Sequence, residues 1–148
     1  MIQRVTNASV AVPEEGYESS IAKGLLVLAA FIDDDTDEDV VWTAKKIAAM
    51  RIFDDEAGVM NLSVRDVGGE ILAISQFTLY ASTVKGNRPP YIKAAKPDVA
   101  VPLYEKFLSA LEAELGKPVG KGIFGADMKV SLLNDGPVTI IVDSKLKF

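Results

Sequence analysis

The chain has 148 residues, about half of them apolar and a quarter charged, with a net charge of −5 and neither cysteine nor histidine. This length suits one domain, spanning residues 1–148, with a sizeable core. The two missing residue types exclude disulfides, thiolate nucleophiles, Cys/His zinc sites and every Ser-His-Asp or Cys-His relay.

Residues 2–13 alternate as a strand should, Glu14-Glu15-Gly16 signals a turn, and Tyr17–Ala22 reads as a second short strand. Met1-Ile2-Gln3-Arg4 opens directly into this pattern with no signal-peptide architecture, so a cytoplasmic location is expected. The longest apolar run, Gly24 to Ile32, is nine residues, far short of a membrane span. It predicts a central strand covered on both faces. Thr36 can cap a helix whose first turn holds Asp37, Glu38 and Asp39, and Val40, Ala44, Ile47, Ala48 and Arg51 share one face of it. A turn at Asp54–Gly58 precedes a short strand at Val59–Leu62, and Gly68-Gly69 precedes a strong strand candidate at Glu70–Tyr80. After a loop at Ser82–Pro90, Asp98 can cap a second long helix with Pro102 in its first turn. Tyr104, Phe107, Leu108, Leu111 and Leu115 form its buried stripe, and Gly116 ends it. Strands at Met128–Leu133 and Val138–Val142 close the chain. The pattern predicts an α/β domain, with a mixed, mainly antiparallel β-sheet packed against two long helices.

Charge is unevenly placed. Asp33, Asp34, Asp35, Asp37, Glu38 and Asp39 form one acidic cluster, while Lys85, Arg88, Lys93 and Lys96 fall in a stretch without any acid. The net charge argues against general nucleic-acid affinity, but the basic segment suits contact with a few phosphates. No compact carboxylate motif for a metal is present, and no cofactor is expected.

Three segments depart from a plain core pattern, which is where function concentrates. Ser75-Gln76-Phe77-Thr78-Leu79-Tyr80 places polar residues at the end of an apolar strand; alternation would put Ser75, Phe77 and Leu79 on one face and Gln76, Thr78 and Tyr80 on the other. These groups either satisfy neighbouring strands or present a hydroxyl and an amide to a substrate. Asn134-Asp135-Gly136-Pro137-Val138-Thr139 reads as a turn between two strands, or as a close-approach element in which a cis Gly-Pro peptide turns two carbonyls to one side. Lys85-Gly86-Asn87-Arg88-Pro89-Pro90 is either a solvated basic loop or a phosphate contact. Phe124-Gly125-Ala126-Asp127-Met128 is a weaker fourth candidate, a glycine-containing turn into a strand.

Ser75-Gln76-Phe77-Thr78-Leu79 together with Asn134-Asp135-Gly136-Pro137-Val138-Thr139 resembles the two signature motifs of the D-aminoacyl-tRNA deacylase family. The likeness extends along the chain through Arg4-Val5, Ala8-Ser9-Val10, Gly24–Leu28, Lys46-Ile47, Arg51–Asp54, Gly86–Pro89 and Phe124–Met128. The departures are Ala29-Ala30-Phe31, where many relatives have a glycine, and Pro90, where a serine often follows the first proline.

The resemblance implies hydrolysis of D-aminoacyl-tRNA, and of glycine mischarged on alanine tRNA, by a homodimer with its active sites at the subunit interface. It makes Ser75, Gln76, Phe77 and Thr78 the catalytic segment. It makes Gly136-Pro137 a cis pair whose carbonyls exclude L-side chains from the partner's pocket, with Arg4 and Asn134 in support. Lys85 and Arg88 are the expected tRNA contacts, with neither membrane nor DNA as a partner. Thr78 has no evident base beside it, so the expected chemistry relies on the 2′-hydroxyl of the terminal ribose. Backbone N–H groups near Phe77 and Thr78 would stabilise the oxyanion. The alternative is a non-enzymatic RNA-binding dimer module, or a purely structural dimer, either of which leaves both motifs without a chemical role.

Overall fold

The computed structural model describes residues 1–148. One six-stranded sheet contains β1 (Ile2–Val12), β2 (Tyr17–Ile21), β3 (Gly24–Ala29), β6 (Glu70–Ser75), β7 (Gly120–Lys121) and β8 (Lys129–Ile140). β4 (Phe53–Asp54) and β5 (Met60–Leu62) make a separate small ribbon. Two helices, α1 (Asp37–Ala49) and α2 (Pro97–Leu115), pack against one another and against the sheet. Neither is long and apolar enough to cross a membrane.

β1 organises the sheet. It pairs antiparallel with β2 through its second half, with β3 through its first half, and with β8 along its other edge. β6 lies parallel to β3, and the two-residue β7 lies parallel to β6. The Tyr17 hydroxyl donates to the Lys121 carbonyl at 2.6 Å, so β2 curls back toward β7. The curled sheet encloses Val5, Val10, Ile21, Leu26, Leu72 and Ile74. Its other face carries Leu25, Val27, Ile71 and Ala73 against Ala44 and Ile47 of α1 and Phe107 and Leu111 of α2. β3 and β6 are therefore buried on both faces, as their unbroken apolar sequences require. A β-carbon at Gly24 would stand 1.8 Å from the Glu70 carbonyl oxygen, so only glycine lets these two strands begin side by side.

The predicted start of α1 is present as a reciprocal cap. The Thr36 amide donates to Asp39 Oδ2 at 2.9 Å while the Thr36 side chain faces the N3 backbone. Three expectations need correction. α2 begins at Pro97, with Lys96 as its N-cap; Asp98 lies inside the first turn and does not cap it, and Pro102 falls in the second turn, where its missing N–H removes the usual i+4 donor to the Asp98 carbonyl. The strand expected at Glu70–Tyr80 stops at Ser75, because β3 ends at Ala29 and offers no further pairing after the Gln76 amide bonds to the Ala29 carbonyl at 2.7 Å. Phe77–Tyr80 then winds into a 3₁₀ turn, so the alternation expected for residues 75–80 does not hold. Finally, Asn134-Asp135-Gly136-Pro137 does not turn the chain between two strands. It lies within the single long strand β8, whose exposed edge tolerates a proline.

Candidate active site

Opposite Arg4, β8 breaks step. Val5 pairs with Asn134 and Gln3 pairs with Thr139, so residues 135–138 bulge out against one residue of β1. The Gly136-Pro137 peptide within this bulge is cis, and Gly136 has φ 124°, a conformation open to glycine. Arg4 is the inner support. Its side chain is nearly buried; Nε donates to the Asp135 carbonyl at 2.9 Å and Nη1 to the Ile52 carbonyl at 2.8 Å. The carboxylates of Asp54 and Asp135 stand 3.7 Å from the same guanidinium. A fixed, planar fork thus ties the bulge to the β4 ribbon. Thr139 and Gln3 join side chains just beyond it. Gly136 and Pro137 themselves are exposed.

The second motif lies elsewhere. Ser75, Gln76 and Phe77 line a cavity of about 270 Å³ with Ala29, Phe31, Ala95, Phe124, Ala126 and Met128 among its other walls. The 3₁₀ turn consumes the amides of Leu79 and Ala81, which donate to Gln76 and Thr78 carbonyls. The amides of Phe77 and Thr78 donate to no group of the chain. Unbonded N–H groups are donors open to an anionic acceptor such as a developing oxyanion, and of these two residues Phe77 lines the cavity. Gln76 Nε2 donates to Thr78 Oγ1 at 2.5 Å, which fixes the side chain of the turn's second residue. That amide is the hydroxyl's only side-chain partner, so no base stands ready to activate it. Thr78 itself does not line the cavity. The Phe77 ring, 55% exposed, meets Tyr91 edge to face at 5.1 Å.

The fold brings Ser75, Gln76 and Phe77 together with Phe124, Gly125, Ala126 and Met128, uniting the first and fourth candidate segments. It does not bring Gly136 or Pro137 to the same chain's cavity. Lys85 and Arg88 are exposed in a loop closed by the Ser82 amide on the Pro90 carbonyl at 3.0 Å. Sequence reasoning missed the contributions of Ala95, Phe31 and Tyr91; the only available signal was the position of Tyr91 just after Pro89-Pro90.

A family profile described as D-Tyr-tRNA(Tyr) deacylase matches residues 1–143. A D-aminoacyl-tRNA deacylase of Parabacteroides distasonis is 61% identical over 145 residues, covering 98% of this chain and 96% of the relative. One of Flavobacterium johnsoniae is 63% identical over 146 residues, with coverage of 98% and 96%. Among solved structures, the c-Myc DNA Unwinding Element Binding Protein superposes with a TM-score of 0.85 at 40% identity, covering 94% of this chain and 93% of its own.

Proposed function

This chain belongs to the D-Tyr-tRNA(Tyr) deacylase family, and on that basis we propose that it hydrolyses the ester joining a D-amino acid to the 3′ end of tRNA, releasing free D-amino acid and tRNA. The observation that carries the reading is the pair of unbonded amides at Phe77 and Thr78 beside the Ser75–Phe77 cavity. An ester carbonyl placed there would gain two N–H donors as it becomes a tetrahedral oxyanion. Removing one such donor from a comparable site costs about 10²–10³ in rate, so this pair suffices as the protein's main electrostatic contribution.

The attacking water needs its proton removed, and the chain offers no base near Thr78. The neighbouring 2′-hydroxyl of the terminal ribose is the closest group able to relay it, so the protein positions the ester and the RNA assists the cleavage. Orientation of this kind is worth roughly 7–11 kcal/mol in well-aligned cases. Ser75 and Gln76 shape the turn that holds the two amides, and Thr78 acts through its backbone.

Chirality is read by main-chain carbonyls. Gly136 and Pro137, exposed on β8 and absent from their own chain's cavity, reach the cavity of a second copy. There their oxygens leave room for a D-side chain or for glycine, including glycine mischarged on alanine tRNA, and clash with an L-side chain. Arg4 keeps them fixed, with Asn134 supporting the start of the bulge. The exposed Leu132 and Leu133 on β8, with Phe77 and Leu79 beside the cavity, provide apolar surface for such a homodimer. Lys85 and Arg88 contact tRNA phosphates, and the work is translational proofreading in the cytoplasm. Incubation with D-Tyr-tRNA and with glycine-charged alanine tRNA tests the reading: both should release amino acid, and inertness toward both would refute it.

A further inference from the structure

The 3₁₀ turn Phe77–Tyr80 opens on a residue with an unbonded amide and a half-exposed ring. Thr78, the next residue, is held through its side chain by Gln76. Phe77 has no such polar handle. Its ring meets one other aromatic ring, that of Tyr91, with the two planes 79° apart.

Tyr91 is itself fixed. The Ser82 amide, two residues past the turn, donates to the Pro90 carbonyl at 3.0 Å. The Ala94 amide donates to the Tyr91 carbonyl at 3.1 Å, and the Ala95 amide to the Phe31 carbonyl at 2.8 Å. Pro89 and Pro90 restrict the backbone just before the ring. Phe31 and Ala95 wall the same cavity as Phe77, so the segment after Tyr91 is docked on the cavity's frame. Tyr91 does not line that cavity.

We propose that Tyr91 is a positioning residue for ester cleavage, acting by holding the Phe77 ring and, with it, the Phe77 N–H that faces the ester carbonyl. The proposal rests on the deacylase reading above. A half-exposed aromatic side chain without a partner exchanges among its rotamers. Misplacing a reacting or stabilising group by about 1 Å can cost roughly 10² in rate, so a ring that never touches substrate still governs turnover. The loop that carries Lys85 and Arg88 ends at this ring, so the Tyr91–Phe77 contact joins the basic loop to the turn.

The experiment compares the full chain with Tyr91→Ala, Tyr91→Leu and Tyr91→Phe on D-Tyr-tRNA, and records ¹⁵N amide spectra of each. Tyr91→Ala should lower kcat about tenfold, the most that one edge-to-face pair can hold. Its KM should stay within about twofold, because a ring outside the cavity adds nothing to ground-state binding. Tyr91→Leu, which keeps apolar bulk without a ring, should behave alike and serves should the alanine variant fold poorly. Tyr91→Phe should restore the parent's rate, since the contact is ring to ring. The Phe77 and Thr78 amide resonances should shift or broaden in the alanine and leucine variants and return in the phenylalanine variant. Parent-like kcat in both ringless variants, or a raised KM at unchanged kcat, would overturn the proposal. A parent chain inert on D-Tyr-tRNA would refute the deacylase reading; unmoved Phe77 and Thr78 amides in the ringless variants would overturn this proposal whether or not the parent turns over.

Discussion

Arg4 of β1 presses against Gly136 of β8: its Nη2 lies 2.9 Å from where a β-carbon at Gly136 would stand. The contact joins residues far apart in sequence and leaves the bulge no room to relax inward. Val138 closes the other side, its Cγ2 3.1 Å from the same point. Gly136→Ala should therefore destabilise the fold by about 1–3 kcal/mol, since φ 124° is also a strained conformation for alanine. Denaturant midpoints measure the loss, and D-Tyr-tRNA deacylation should fall with it.

Replacing Arg4 tests the support from below. Arg4→Met leaves the Ile52 and Asp135 carbonyls without their donor, at a cost of about 1–3 kcal/mol for each group left unsatisfied. Arg4→Lys keeps the charge but cannot span both acceptors. The lysine variant should fold better than the methionine variant, yet its preference for D- over L-Tyr-tRNA should drop, by roughly tenfold, if a shift of about 1.4 kcal/mol accompanies the loosened bulge.

Thr78→Ala should keep activity within roughly tenfold of the parent, because the hydroxyl's only side-chain partner is the Gln76 amide and no base activates it. A substrate ending in 2′-deoxyadenosine should instead lose about 10²–10⁴, the usual worth of a positioned proton relay. Single-turnover rates on the two substrates separate the hydroxyl of the protein from that of the RNA.

Acid should loosen the chain's end. Burial disfavours the charged form of Asp39, but hydrogen bonds from Lys145, Thr36 and Ser144 outweigh it and hold the carboxyl at about 2, below its ordinary 3.8. The folded pKa is depressed, so this contribution to stability is fully present above about pH 4 and is lost as pH falls toward 2. Unfolding midpoints between these limits should fall less steeply for Asp39→Asn than for the parent chain.

Local chemistry made much of the architecture legible. The unbroken apolar run from Gly24 to Ile32 predicted a strand buried on both faces, which forms over Gly24–Ala29, and Thr36 with its acidic first turn predicted the start of α1. What sequence could not supply was set by partners far along the chain. Glu70–Tyr80 reads as one strand, apolar through Ile74 and alternating from Ser75, but the ladder ends where β3 ends. Asn134–Pro137 carries every local turn signal, yet Arg4 and the free edge of β1 hold it in a strand bulge. The Ser75–Phe77 motif was visible, whereas Phe31 and Ala95 join its cavity only through folding. Backbone N–H donors were expected near Phe77 and Thr78, but that these two amides go unbonded follows only from the 3₁₀ turn, which draws its own bonds from later residues.

The most direct measurement is single-turnover release of tyrosine from D-Tyr-tRNA and L-Tyr-tRNA, side by side, by the purified full chain. Rapid release from the D-ester with the L-ester slower by about 10² or more is the expected result, equivalent to about 2.7 kcal/mol of discrimination. Equal release from both esters would contradict a cavity that reads handedness with fixed carbonyls, and release from neither would contradict the deacylase reading itself.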